Sequence, residues 1–227
     1  VLLYAHLDHY IIADDVTLED QTSALAVIAI EGPNSLSAAI ELGISIPDQP
    51  NAITRIPNGF VARAAATGPL GVRVFLPEAE KATLVRRLTA AGIPQATPEE
   101  VHIVRLENGV PRYGEDITER YLVQETQALH AVHFSKGCYL GQEIVERIRS
   151  RGQVHRLLAP VQLEGAVPPP PGTKLATDGN PVAEITSAAY SPALHKVVAL
   201  AYVRAEALQS KVPLSVIAAD SSPAKAS

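Results

Sequence analysis

The residues best suited to chemistry lie at positions 136–143, KGCYLGQE, which hold the single cysteine of a 227-residue chain. A thiol acts as nucleophile or metal ligand only as thiolate, and a neighbouring cation or a helix N-terminus favours that form. Lys136 stands just upstream of Cys138, and a helix is predicted to start near Gly141-Gln142, so the loop offers both influences. Gly137 and Gly141 let the backbone turn closely past a ligand or a strand. Against reactivity stands the ordinary fate of a free cysteine, a small buried residue in a turn. One cysteine makes neither an internal disulfide nor a CxxC redox pair, and it fits a reducing compartment. The pairs His6/His9 and His130/His133 can each share a helical face, but they lack thiolate or carboxylate company. They read as core or surface histidines, and no stably bound metal is expected. Glu143 is expected to pair with Arg147 one turn on, orienting a helix whose apolar face is Ile144, Val145 and Ile148.

These residues need a scaffold, and the pattern of the chain supplies one. SALAVIAIEGP (23–33) is a continuous apolar run closed by Gly32-Pro33 and predicts a buried strand. Asn34 can then cap a helix with Leu36, Ala39 and Ile40 on one face and Gly43 as its left-handed stop. GFVARAAAT and LGVRVFLP, on either side of Gly68-Pro69, predict a hairpin. Pro77 opens a helix reaching Ala91, with Leu84, Val85 and Leu88 inward and Gly92 ending it. Strand, helix, hairpin and helix together imply an α+β unit with helices covering a largely antiparallel sheet. Further on, Pro98 with Glu99-Glu100 starts a short helix, VPRYGEDI reads as an irregular loop, and 118–131 reads as helical. QEIVERIRSRG predicts a helix ending at Gly152, and GAVPPPPG (165–172) a stiff extended stretch. PVAEITSAAY, KVVALAYVR and VPLSVIA give the pattern of a small barrel or sandwich, and a disordered tail is expected at 219–227.

Charge narrows the function classes. The chain carries a net charge of −5, with no Lys or Arg in residues 1–50. Residues 136–156 hold Lys136, Arg147, Arg149, Arg151 and Arg156 against Glu143 and Glu146. An acidic protein with one short basic segment argues against coating nucleic acid. Its apolar runs are too short to cross a bilayer, and no signal peptide opens the sequence, so a globular cytoplasmic protein is expected. The chain starts at Val1 and contains no methionine, which leads to the expectation of an incomplete N-terminus and of methionines missing from the sequence.

KGCYLGQE resembles the signature loop of YgfZ-type folate-binding proteins, a branch of the glycine-cleavage T-protein (aminomethyltransferase, GcvT-like) superfamily linked to iron–sulfur proteins and tRNA modification. The resemblance extends through VRLENGVPRYGEDIT (104–118), SKGCYLGQEIVERIRSRGQVHRLL (135–158) and GNPVAEITSAAYSPALHKVVALAYVR (179–204). It implies a three-lobed cloverleaf around a central tetrahydrofolate site. Residues 1–95 would be an α/β, ferredoxin-like middle domain, and 96–154 the returning part of a discontinuous first domain. Residues 155–218 would be the C-terminal β-barrel. A leading segment, which in this superfamily carries the catalytic aspartate, is expected before LDHYIIADDV; Asp14 and Asp15 do not replace it. Glu107 falls where the superfamily sets a carboxylate against the pterin ring, a suitable acceptor for the paired donors of an amino-pyrimidine edge. Arg105 and Tyr113 are further cofactor-site candidates, for charge pairing and stacking, and Tyr139, Gln142 and Arg147 join them from the signature loop and its helix. Cys138 with Lys136 forms the candidate reactive pair.

The implied function is a tetrahydrofolate-binding accessory protein for iron–sulfur assembly or repair, with iron–sulfur clients as partners and a mitochondrial matrix location in a eukaryote. The alternatives are an aminomethyltransferase or related demethylase, and an RNA contact through 147–156. T-proteins lack the Lys-Gly-Cys-Tyr loop, which favours the first reading. Ala183 in place of a glycine and Val123 in place of a proline are local departures from the pattern.

Overall fold

The computed structural model describes residues 2–13, 15–152, 154–210 and 215–216. Contacts group the chain into two units, Val1–Ala96 and Thr97–Ser227. Segment 97–154 and the second sheet, expected as separate lobes, therefore pack together in one unit.

In the first unit, helix α1 (Leu2–Asp8) precedes strand β1 (Leu25–Glu31), helix α2 (Ser35–Glu41), strands β2 (Ile53–Ile56), β3 (Gly59–Ala62) and β4 (Gly71–Pro77), and helix α3 (Glu78–Ala90). The strands form one antiparallel sheet in the order β1-β4-β3-β2. α2 and α3 both pack on β1 and β4, burying Ala26, Ile30, Val72, Val74, Leu76, Ala39, Leu84 and Leu88 in a single core. Each large apolar side chain buried there contributes roughly 1.5–3 kcal/mol. The continuous apolar run of 23–33 predicts a buried strand, and β1 forms there. Its burial alternates, with Ala26 and Ile30 inward and Val27 exposed, because the helices cover one side of the sheet.

Asn34 occupies the N-cap of α2 without a side-chain cap bond, and Ile40 points outward while Ala39 is buried. The paired β3 and β4 meet in the expected hairpin, with Phe60 opposite Phe75. Its long connection is pinned by the Glu31 carboxylate, which accepts from the amides of Ala66 and Thr67 at 2.8–3.0 Å and from the Thr67 hydroxyl at 2.6 Å. A second hairpin, β2–β3, turns through Pro57-Asn58, with Ile56 paired to Gly59 at the start of β3. A ferredoxin-like unit needs a final strand after its second helix. Among the described residues of the first unit no strand follows α3, and β2 is an additional strand on the far edge.

The second unit opens with α4 (Pro98–Glu107), started by a complete capping box between Thr97 and Glu100. The stretch 118–131, expected to be helical, is a series of turns with one short 3-10 segment at Leu129–Ala131. Polar Gln124, Glu125 and Thr126 are buried in it, and Glu125 bonds the backbone of Leu122 and accepts from Arg156 instead of lining a helix. α5 (Gln142–Arg151) lies where predicted and ends at Gly152.

The second sheet holds β5 (Arg156–Leu163), β6 (Lys174–Thr177), β7 (Asn180–Ser191), β8 (Lys196–Arg204) and β9 (Ser215–Val216), with α6 (Ala205–Ser210) after β8. Its order is β5-β8-β7-β6-β9, all antiparallel. β5 and β9 are its ends and do not pair with each other among the described residues, so the expected barrel is seen here as an open sheet. The rest of VPLSVIA and the tail lie outside the described residues. β8 explains its own unbroken apolar run. Val197, Ala199, Ala201 and Val203 face one core with Leu175 and Ile185, while Val198, Leu200 and Tyr202 face a second core with Leu106 of α4.

Candidate functional site

α4 packs on the second core through Leu106, with Arg105 and Glu107 on either side of it, and the loop after α4 returns Asp116 to Arg105. Asp116 is fully buried, and both of its oxygens are doubly satisfied. Oδ2 accepts from Arg105 Nη1 at 2.7 Å and from the Arg112 amide at 2.9 Å. Oδ1 accepts from the hydroxyls of Thr186 at 2.6 Å and Ser187 at 2.5 Å. Two consecutive residues of a regular strand point to opposite faces, so both hydroxyls reach one carboxylate only because β7 bulges there. Its register with β8 shifts between Ile185 and Ser187. The Tyr202 hydroxyl adds a bond to the Asp116 carbonyl at 3.1 Å, and burial raises the phenol above its usual range.

This cluster corrects the reading of Arg105. Its guanidinium is 1 % exposed and bound to Asp116, to Glu115 at 2.5 Å, to the Val110 carbonyl and to His102. It fixes the loop to the helix through Nη1 and Nη2, while its buried Nε finds no hydrogen-bond partner. Tyr113, proposed for stacking, is exposed at the tip of the same loop, joined to Ile117 by a backbone bridge.

Glu107, two residues beyond Arg105, is half-buried at the end of α4. Its Oε1 accepts from the Ser191 hydroxyl at 2.5 Å, and Ser191 in turn accepts from the Leu194 amide at 3.0 Å. No described residue hydrogen-bonds Oε2, so the carboxylate keeps an acceptor for a ligand.

The KGCYLGQE loop forms a second grouping, and no described contact joins it to Glu107. Cys138 is exposed, not buried in the turn. Lys136 sits 4.9 Å from the centre of the Tyr139 ring, a cation–π contact. Tyr139 is half-buried, with a fully buried hydroxyl that finds no hydrogen-bond partner. Gly141 takes φ 87°, a conformation open to glycine, as the cap of α5. The half-buried Gln142 begins that helix and returns its amide to the Tyr139 carbonyl at 3.2 Å.

Arg147 is exposed and makes no ion pair with a described residue; the helix pair seen among them is Glu146–Arg149, not Glu143–Arg147. Arg149 also lies over Phe134, and Arg156 is bound to Glu125 at 2.6 Å, which raises its guanidinium further. The Arg151 side chain lies outside the described residues. Of the basic segment, Arg147 and Lys136 are the cations free of a carboxylate partner among those described.

Sequence reasoning missed Asp116 and Ser191. The available signal was polarity beside apolar residues: the acid pair Glu115-Asp116 after Tyr-Gly in VPRYGEDI, and the hydroxyls Thr186, Ser187 and Ser191 among the apolar residues of 185–191.

Comparison with known proteins gives this arrangement its context. Residues 156–227 match the glycine cleavage T-protein C-terminal barrel domain. An aminomethyltransferase of Rubrobacter xylanophilus is 32% identical over 209 residues, which cover 89% of this chain and 56% of that protein. One from Synechococcus elongatus is 31% identical over 203 residues, covering 83% and 52%. The chain is similar to glycine-cleavage T-proteins. It spans about half the length of these relatives. The crystal structure of glycine cleavage system aminomethyltransferase T from Bartonella henselae superposes with a TM-score of 0.69 at 20% identity, over 80% of this chain and 52% of that one, a likeness of fold. These matches reach the GcvT-like superfamily and do not single out its YgfZ-type branch. Among the described residues no helix is long and apolar enough to cross a membrane.

Proposed function

We propose that this chain is the folate-binding part of a GcvT-like protein, and that the whole protein performs tetrahydrofolate-dependent one-carbon transfer of the aminomethyltransferase kind. The observation that carries this reading is Glu107, a half-buried carboxylate with one oxygen held by Ser191 and the other unclaimed, in a chain similar to aminomethyltransferases over most of its length. The residues fit the group in part. Glu107 suits an amino-pyrimidine edge, Tyr113 is free to stack, and Arg105 has no role toward the ligand because its charge is already matched. Tetrahydrofolate would supply the nitrogens that accept the one-carbon unit. Incubation of the full-length protein with an aminomethylated lipoyl donor should release ammonia only when tetrahydrofolate is present. Ammonia release independent of tetrahydrofolate would overturn this reading.

A second reading is favoured by one specific observation, the exposure of Cys138 within KGCYLGQE. On it, the protein is a YgfZ-type accessory of the cytoplasm or mitochondrial matrix. It binds folate and uses the thiol to support assembly or repair of iron–sulfur enzymes, including tRNA-modifying ones. Folate binding without aminomethyl turnover, together with loss of complementation in Cys138→Ala, would select it. Full complementation by Cys138→Ala would end the thiol's role. An RNA contact is the weakest alternative, since Arg149 and Arg156 already have carboxylate partners.

A further inference from the structure

We propose that Ser191, on the second sheet, is a positioning residue that aims the Glu107 carboxylate at its ligand. This deepens the folate reading above and rests on it. Ser191 is the last residue of β7, opposite Lys196 in the β7–β8 hairpin, and it is 0 % exposed. Its hydroxyl stands between one group that can only donate and one carboxylate. The Leu194 amide donates to Oγ at 3.0 Å, and Oγ donates its single proton to Glu107 Oε1 at 2.5 Å. The direction of the relay is therefore fixed: amide to hydroxyl to carboxylate.

The backbone that carries Ser191 is equally constrained, since β8 on its paired side is buried through Val203. A long glutamate side chain at a helix end has several rotamers to lose on binding, a cost that holding it beforehand reduces. Ser191 removes much of that freedom beforehand. It leaves Oε2, and the second lone pair of Oε1, to receive two parallel N–H donors. The ligand edge this selects is the ring N–H and exocyclic amino group of a pterin, and a ring that presents a carbonyl in place of the amino group meets oxygen with oxygen. The Asp116 cluster fixes the same helix from its other side, through Arg105.

The test is a cycle of variants in the full-length protein, read by calorimetric titration with tetrahydrofolate. Ser191→Ala should weaken binding about 10-fold, the value of one oriented hydrogen bond of roughly 1.4 kcal/mol. In a Glu107→Gln background, where affinity has already fallen, the same change should cost less than about 2-fold, because Ser191 acts through Glu107. A matching titration with a tetrahydrofolate analogue lacking the exocyclic amino group should show its penalty shrinking in Ser191→Ala. Circular dichroism confirms that each variant is folded, and Ser191→Cys, near in volume but a weaker donor, replaces the alanine variant if that one does not fold. Equal cost of Ser191→Ala in both backgrounds, or no cost in the wild-type background, overturns the positioning role while leaving folate binding intact. No binding by the wild-type protein overturns the folate reading itself.

Discussion

Replacing Asp116 by alanine should be among the most destabilising single changes in the second unit. The substitution removes one carboxylate that satisfies four donors, from Arg105, Arg112, Thr186 and Ser187. Arg105 is left 1 % exposed with its charge facing a vacated site. Breaking a buried ion pair from one side costs about 3–5 kcal/mol, chiefly from the stranded partner. Glu115 offsets part of this, since it keeps its own bond to the guanidinium from a partly exposed position. About 3–4 kcal/mol is expected. In urea, at roughly 2 kcal/mol per molar, the midpoint of the second unit should fall by about 1.5–2 M. Circular dichroism follows the transition, and hydrogen exchange over residues 97–204 assigns it to this unit. The double variant Arg105→Met/Asp116→Leu should recover at least half of the loss, because it leaves no buried charge unpaired. A midpoint shift below about 0.5 M for Asp116→Ala, or a double variant worse than the single, would refute the reasoning that the cluster is held by paired burial.

Other consequences are as direct. Iodoacetamide should alkylate Cys138 in the native protein, because the thiol is exposed; mass spectrometry showing modification only after unfolding would contradict its placement. Thr97→Ala should cost about 1 kcal/mol in urea denaturation by opening the capping box of α4. Gly59→Ala should destabilise the first unit by about 3 kcal/mol, since an added Cβ meets the Phe75 carbonyl oxygen at 1.9 Å across a paired strand; a neutral substitution would show that the strand yields. The Glu184 carboxyl is held below the usual range by the Lys174 ammonium, its hydrogen-bond partner, and by Arg120. Its stabilising contribution is present above the ordinary glutamate range and is lost as pH falls through the lowered value. Glu184→Gln should therefore narrow the stability difference between pH 7 and pH 3 by less than about 1 kcal/mol, the pair being partly exposed.

Elements whose boundaries depend on local chemistry were legible in the sequence. Pro98 with Glu99-Glu100 announces α4, Gly141 and Gly152 bracket α5, and Pro77 and Gly92 bracket α3. What the sequence hid depends on tertiary partners. The 118–131 stretch has helical composition, yet its backbone is claimed by Glu125, which bonds the Leu122 amide through its side chain and the Leu158 amide through its carbonyl. Arg105 and Glu107 stand two apart on one helix and therefore on opposite sides of it, and composition alone does not say which side meets a ligand. Only the return of Asp116, eleven residues after Arg105, makes one structural and leaves the other free. The bulge that aims Thr186 and Ser187 at one carboxylate is a property of strand pairing and leaves no mark on local propensity.

Calorimetric titration of the full-length protein with tetrahydrofolate, beside the same titration of Glu107→Gln, tests the folate-binding claim most directly. Saturable binding that falls at least about 10-fold in Glu107→Gln is the predicted result, and the absence of binding, or equal affinity in both proteins, would contradict it.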